Sequence, residues 1–476
     1  MRADLVQYLH VVWYVAAFIV MPMIKHSLWT SRWTFLFATA GAAVGLGNVW
    51  RFSFLTGQNG GAAFILVYLA FVFVIGVPII MAELAIGRMG QLSPIGSIKG
   101  IIQLQDASHF WQAIGKLSLI VPFIGFTFYS VVTGWTLYYA GQAITNGFKG
   151  VSSVEAQSLF EALTLSPMVT IILQGVVVVA TAVIVGNGLR QGIERTTKIM
   201  VPGLGVILLL MVVYNVFAAD MSSAIEFLFS PNFSELSGTS ILLALGQAFF
   251  SVGVGVGFMM TYGAYLPKDI SIPKAAFVIG SVDTGVALLA GLAIFPIVFA
   301  TGLDPSEGPG LVFVTMPVAF SAMPFGYILG VTFFLLLFVA AYTTTIGMLE
   351  PVVAYLEERW NRGRFALAIW AGLVIWLIGI LPGLSDNVLA DVRPLAFITG
   401  LADKSIFETF DFMTASVLIP INAFLIALFA GWVVSVETFK RELGFRSHAL
   451  FNVWLVLMRY LVPLAVLIVT ISGLLG

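Results

Sequence analysis

The sequence predicts an all-α integral membrane protein of about eleven transmembrane helices, and three observations predict it. Of 476 residues, 60% are hydrophobic and only 9% charged, against about a quarter charged in soluble domains, so the chain cannot cover an ordinary water-facing surface. Its apolar residues fall in long runs, each near the ~20 residues a helix needs to cross a bilayer. Membrane β-strands would instead alternate in ~10-residue pieces. The basic residues then sort onto alternate sides of those runs. The same composition excludes a soluble enzyme, a disordered scaffold and, at a net charge of −1, a nucleic-acid binder. With no cysteine, disulfides and thiolate metal sites are excluded too.

The runs lie near 32–56, 60–87, 113–146, 167–186, 196–217, 240–265, 275–302, 325–357, 365–382, 409–434 and 450–472. Arg88, Lys99 and Lys116 follow the second. Arg190, Arg195 and Lys198 follow the fourth, and Lys268 and Lys274 the sixth. Arg359, Arg362 and Arg364 follow the eighth, and Lys440, Arg441 and Arg446 the tenth. The opposite loops hold Lys149, Arg393 and Lys404. Positive charge stays inside, so the first of these spans starts in the cytoplasm and the chain sits in the cell (inner) membrane. Residues 1–28 hold a further apolar stretch, Leu5 to Ile24, between Arg2 and Lys25. It reads either as an extra peripheral helix or as a surface-lying leader. No Ala-x-Ala site precedes Lys25, which argues against a cleaved signal peptide.

The first and sixth runs differ from the rest. One reads Ala40-Gly41-Ala42-Ala43-Val44-Gly45-Leu46-Gly47-Asn48, the other Phe249-Phe250-Ser251-Val252-Gly253-Val254-Gly255-Val256-Gly257. A mid-helix glycine costs about 1 kcal/mol relative to alanine, and here several cluster at matching places in two halves. Such interrupted segments are the best sequence pointer to the midplane site of a transporter, where unwound backbone offers carbonyls to a cation and N–H groups to an anion. Gly41 with Gly45, and Gly253 with Gly257, also fit close helix packing through G-x-x-x-G. No strand precedes either run, so neither is a dinucleotide fingerprint.

At these residues the chain resembles a known family. The stretch from Trp33 to Arg51, continuing through Phe52, resembles the first helix of the neurotransmitter:sodium symporters. The likeness extends through Asn59-Gly60-Gly61-Ala62-Ala63-Phe64, Glu83-Leu84-Ala85-Ile86-Gly87-Arg88, the sixth span, Asp283-Thr284, the eighth span and Asp411-Phe412. The chain looks like the bacterial branch. The resemblance implies a LeuT-type fold with two inverted five-helix repeats, 29–217 and 240–434, followed by an eleventh span at 450–472, and sodium-driven uptake by alternating access.

The resemblance also implies sites. One sodium site would use the carbonyls of Gly41, Val44 and Ala340 and the hydroxyls of Thr343 and Thr344. The residues agree, since Thr343-Thr344-Thr345 places hydroxyls in an apolar helix, although threonines in membranes also bond back to their own helix. A second site would use Ala43, Asn48, Ser251 and Asp283, with Asp283 standing where the best-known pattern has Asn. An intramembrane carboxylate costs about 2.5–3.5 kcal/mol unless paired, and a bound cation is its economical partner. Chloride-dependent relatives need an anion beside this sodium. Asp283 would supply that charge permanently, so one or two sodium ions and no chloride are expected.

Where monoamine transporters place an acid on the first helix, this chain has Gly45. That implies a substrate carrying its own carboxylate, resting on sodium, on the N–H groups near Gly45 and Leu46, and on the Tyr129 hydroxyl. The resemblance implies Ala43 and Ser251 as further substrate-binding residues. The wall would be Gly125, Phe250, Gly253, Val256, Thr344 and Met348, wide and without acid or base, fitting a bulky apolar or aromatic neutral amino acid. A small or ω-amino acid remains the alternative. Arg51 and Asp411 match an outer gate. Trp29, Tyr265 and Glu358 match an inner one, in which His26 beside Lys25 replaces the family's Arg. Glu83 and Glu350 read as acids that tie helices or carry protons. No enzyme constellation, nucleotide loop or repeated channel filter is present, and the partners expected are the amino acid and the bilayer, with a monomer sufficient.

Overall fold

The computed structural model describes residues 27–303, 310–398 and 401–475, with side chains to Ser472. The N-terminal stretch 5–24, Lys25 and His26 lie outside the described residues. Those described residues form helices and turns without a strand. Among the described residues, nine helices are long and apolar enough to span a membrane: Ala62–Gly90, His109–Ile144, Pro167–Gly186, Leu189–Ala218, Ile272–Ala300, Gly326–Trp360, Arg364–Gly383, Ile406–Val433 and His448–Ser472. The first and sixth expected spans complete the eleven as broken helices, Arg32–Ala43 followed by Gly47–Arg51 and Phe52–Gln58, and Gly238–Val252 followed by Phe258–Ala264.

Helix ends follow local chemistry. Ser31 and Thr34 form a capping box at the start of the first span, and Ser237 with Ser240 does the same for the sixth. The third and eighth spans pack along each other, as do the fourth and ninth, while the two halves of the sixth pack against the second. The first span lies against the fifth, seventh and eighth. The broken helices therefore sit inside, sheathed by continuous ones. Phe217, Leu210 and Leu464 stand exposed on the fifth and eleventh spans, an apolar exterior that only lipid can cover.

Candidate functional site: the two broken helices

Both breaks expose backbone polar groups at membrane depth, where each must find a partner inside the protein. In the sixth span, Gly253, Gly255 and Gly257 have φ of 64°, 78° and 104°, a region that only glycine enters freely. The Gly255 N–H donates to a Glu83 carboxylate oxygen at 2.5 Å, and the Gly255 carbonyl accepts from the Asn422 amide at 2.7 Å. Glu83 is thus a helix-tying acid, holding the second span to the break. In the first span the chain leaves the helix at Val44, which is extended. There the Gly45 N–H donates to the Asn48 side-chain oxygen at 3.1 Å, and the Gly47 carbonyl accepts from Gln247 at 2.7 Å.

Asn48, Ser251 and Asp283 meet between these breaks. The Asn48 amide donates to Ser251 Oγ at 2.9 Å and to the Asp283 carboxylate at 2.8 Å. Ser251 donates to the other carboxylate oxygen at 2.6 Å. Tyr68 joins them, its hydroxyl 2.9 Å from Ser251 Oγ and donating at 3.4 Å to Asp283. Asp283 is fully buried, and no Lys or Arg pairs with it among the described residues. A cluster of oxygens around an uncompensated buried carboxylate suits a hard cation.

At the other expected ion site, Thr343 donates to the carbonyls of Val339 and Ala340 at 3.0 and 3.1 Å, and Thr344 to Ala340 at 3.3 Å. This is the back-bonding that an apolar helix favours. It does not oppose an ion, because a hydroxyl that donates its proton keeps two lone pairs. A Cβ on Gly41 would lie 3.4 Å from Thr343 Cβ, so the two spans nearly touch there. Gly41, Val44 and Thr343 also border an apolar cavity of about 200 Å³ shared with the fifth and seventh spans.

Beside Asn48 lies a second cavity. Of the eleven expected substrate residues, nine line it: Ala43, Gly45, Gly125, Tyr129, Phe250, Gly253, Val256, Thr344 and Met348. Leu46 contributes its N–H instead, donating to the Tyr129 hydroxyl at 3.1 Å, while the Ser251 hydroxyl faces Asp283. Gly45 permits this approach, since a Cβ there would stand 2.5 Å from Thr344 Oγ1 and 2.7 Å from the Tyr129 hydroxyl. The cavity is narrower than its glycines suggest, about 40 Å³. Side chains fill the room they leave: a Cβ on Gly253 would fall 2.4 Å from the Phe258 ring. Phe258 and Thr414 line the cavity without having been expected.

Above it, the Arg51 guanidinium lies 4.7 Å from the centre of the Phe250 ring, within cation–π range. Arg51 and Asp411 form no direct ion pair among the described residues. Below it, Trp29 is buried against Tyr262 and Tyr265. Its N–H donates to the Tyr265 carbonyl at 3.0 Å and its indole to that of Tyr262 at 2.9 Å. Tyr265 donates to Glu350 at 2.7 Å. Glu350 pairs with Arg364, which also holds Glu357 at 2.8 Å. Glu358 accepts both the N–H and the hydroxyl of Ser93 at 2.5 Å. Glu194, unforeseen, accepts the Thr30 N–H at 2.8 Å, the Thr30 hydroxyl at 2.7 Å and the Thr34 hydroxyl at 3.3 Å.

Two glycine-broken helices facing each other across a cavity at membrane depth are the arrangement of a secondary transporter. Comparison with known proteins agrees. The model of the sodium:neurotransmitter symporter family matches residues 26–157 and 153–475. The uncharacterized sodium-dependent transporter YhdH of Bacillus subtilis is 36% identical over 93% of this chain and 97% of its own. The sodium- and chloride-dependent GABA transporter 2 of Macaca fascicularis is 25% identical over 74% of this chain and 65% of its own. The crystal structure of MhsT in complex with L-phenylalanine superposes with a TM-score of 0.85 at 38% identity, covering 94% of this chain and 100% of that one. The chain belongs to the sodium:neurotransmitter symporter family: a multi-pass membrane transporter of LeuT-type fold, sodium-dependent and not an enzyme.

Proposed function

We propose that the protein is a sodium-coupled symporter for neutral α-amino acids with bulky apolar or aromatic side chains. The observation that carries this reading is the polarity of the cavity. At one end Tyr129 accepts the Leu46 N–H beside the Thr344 hydroxyl, and its own proton would turn to a carboxylate when substrate binds. The rest of the lining is Gly, Ala, Val, Phe, Ile and Met with two threonines, and it offers nothing to a charged side chain. The likeness to MhsT, solved with L-phenylalanine, favours a ring over an ω-amino acid. Phe250, Phe258 and Met348 would swing aside to admit it.

One or two sodium ions would bind, at Ala43, Asn48, Ser251 and Asp283 beside the substrate and at Gly41, Val44, Ala340, Thr343 and Thr344 beneath it. Asp283 supplies a fixed negative charge, so chloride is not required. The repeats 29–217 and 240–434 would provide the two-fold design, with 450–472 outside it. Sodium would favour the outward-facing state. Substrate then closes Arg51 and Phe250 over the cavity, and release needs Trp29, Tyr265 and Glu358 to part. A thermal-shift series of the twenty amino acids in sodium and in potassium tests this, because stabilisation rises with the logarithm of ligand concentration over Kd. Shifts from aromatic and branched amino acids in sodium alone are expected. Equal shifts in potassium, or none, refute it.

A further inference from the structure

Ten buried side-chain polar atoms have no hydrogen-bond partner among the described residues. One of them belongs to a residue lining the substrate cavity, the hydroxyl of Thr414. Thr414 is 4% exposed. Thr133, Thr181 and Thr284 give their hydroxyl protons to a carbonyl four residues back, the ordinary outlet for a membrane threonine. Thr414 does not. It stands in a π-helical turn, Met413–Leu418, of the kind that often marks functional sites, three residues deeper than Asp411. A lone buried hydroxyl is unfavourable, and a ligand group is the partner the cavity can bring.

The cavity has two distinct ends. Gly45, Thr344 and Tyr129 converge at one. At the other, a Cβ on Gly125 would lie 3.6 Å from the Met348 methyl and 3.7 Å from the Thr414 methyl. Gly125 to Tyr129, and Thr344 to Met348, are each four helical residues, about 6 Å of rise. An amino acid held by its carboxylate at the Tyr129 end would extend the far edge of an aromatic ring toward Thr414, whose methyl faces Gly125 and whose hydroxyl would turn to the cavity about the Cα–Cβ bond.

Resting on the amino-acid reading above, we propose that Thr414 is a specificity-determining residue. Its hydroxyl hydrogen-bonds the polar edge of the substrate ring, so the preferred class is aromatic amino acids bearing a ring O–H or N–H. A hydroxyl both donates and accepts, which serves a phenol and an indole alike. A site that offers such a bond disfavours the analogue that lacks it, so phenylalanine and leucine are carried but bind more weakly than tyrosine and tryptophan.

Competition against labelled phenylalanine uptake in proteoliposomes tests the inference, with unlabelled tyrosine, tryptophan, phenylalanine and leucine as competitors. In the native protein, tyrosine or tryptophan should half-inhibit at a concentration at least fivefold below that of phenylalanine. Thr414→Val, which keeps shape and removes the hydroxyl, should bring that ratio to about one, and Thr414→Ser should keep it. Thr414→Ala supplies the comparison if the valine variant does not fold. A ratio unchanged in Thr414→Val, all four ligands weakened in parallel, or no preference in the native protein overturns the inference and leaves the amino-acid reading standing. If no amino acid competes at all, both fall.

Discussion

Asn48 on the first span donates a 2.8 Å hydrogen bond to the carboxylate of Asp283 on the seventh. The bond spans the cleft between a broken helix and its neighbour, and Ser251 and Tyr68 converge on the same carboxylate. Side chains from three other spans thus meet one buried carboxylate. On the sodium reading, uptake by the native protein should not change when chloride is replaced by gluconate. Asp283→Asn keeps the volume and removes the charge. Its half-saturating sodium concentration should rise at least about tenfold, the equivalent of 1.4 kcal/mol, and added chloride should recover part of the loss. Native uptake that collapses in gluconate would refute the fixed-charge role.

Tyr129 reaches the break in the first span through a single hydroxyl, which accepts the Leu46 N–H. Tyr129→Phe removes that acceptor and the proton offered to the substrate carboxylate. Hydrogen bonds to charged groups contribute about 1.5–3 kcal/mol, so substrate affinity measured by thermal shift should fall roughly tenfold to a hundredfold. An affinity within twofold of the native value would remove Tyr129 from the site.

Gly125 faces Met348 and Thr414 at ordinary contact distance. A Cβ fits there, but the two methyls of valine project into the remaining room. Gly125→Val should therefore penalise phenylalanine at least about tenfold more than alanine, a pocket narrowed by more than one methylene. Competition assays read the ratio directly, and equal losses for both would place the side-chain pocket elsewhere.

Glu194 binds the capping segment of the first span through three donors. Moving the inner half of that helix breaks all three, each worth on the order of 1 kcal/mol. Glu194→Ala should raise hydrogen exchange over residues 31–40 by tenfold or more in sodium, while 109–144 stays as protected as in the native protein. Unchanged exchange over 31–40 would show that this contact does not hold the inner side closed.

What could be read in the sequence follows from range. The spans were legible because hydropathy is a local sum, and the breaks because Gly41, Gly45, Gly253 and Gly257 interrupt it at matching places. Most of the cavity followed from the family motifs on the first, third, sixth and eighth spans. Tyr68 and Thr414 were invisible because one tyrosine or threonine in an apolar run looks like any other, and only packing brings Tyr68 to Asp283. Glu194 lies 164 residues from Thr30, in a basic loop that reads as a topology signal. The cavity's small volume was unforeseen for a related reason: glycines announce space, but the Phe258 ring that fills it belongs to a stretch with no pocket motif.

On the symporter reading, sodium drives an aromatic or branched amino acid through the cavity between the two broken helices. Uptake of labelled phenylalanine into proteoliposomes under an inward sodium gradient tests it most directly. Accumulation above the external concentration, abolished when sodium is equal on both sides or replaced by potassium, is the predicted result. Uptake that merely equilibrates, or proceeds equally in potassium, would contradict it.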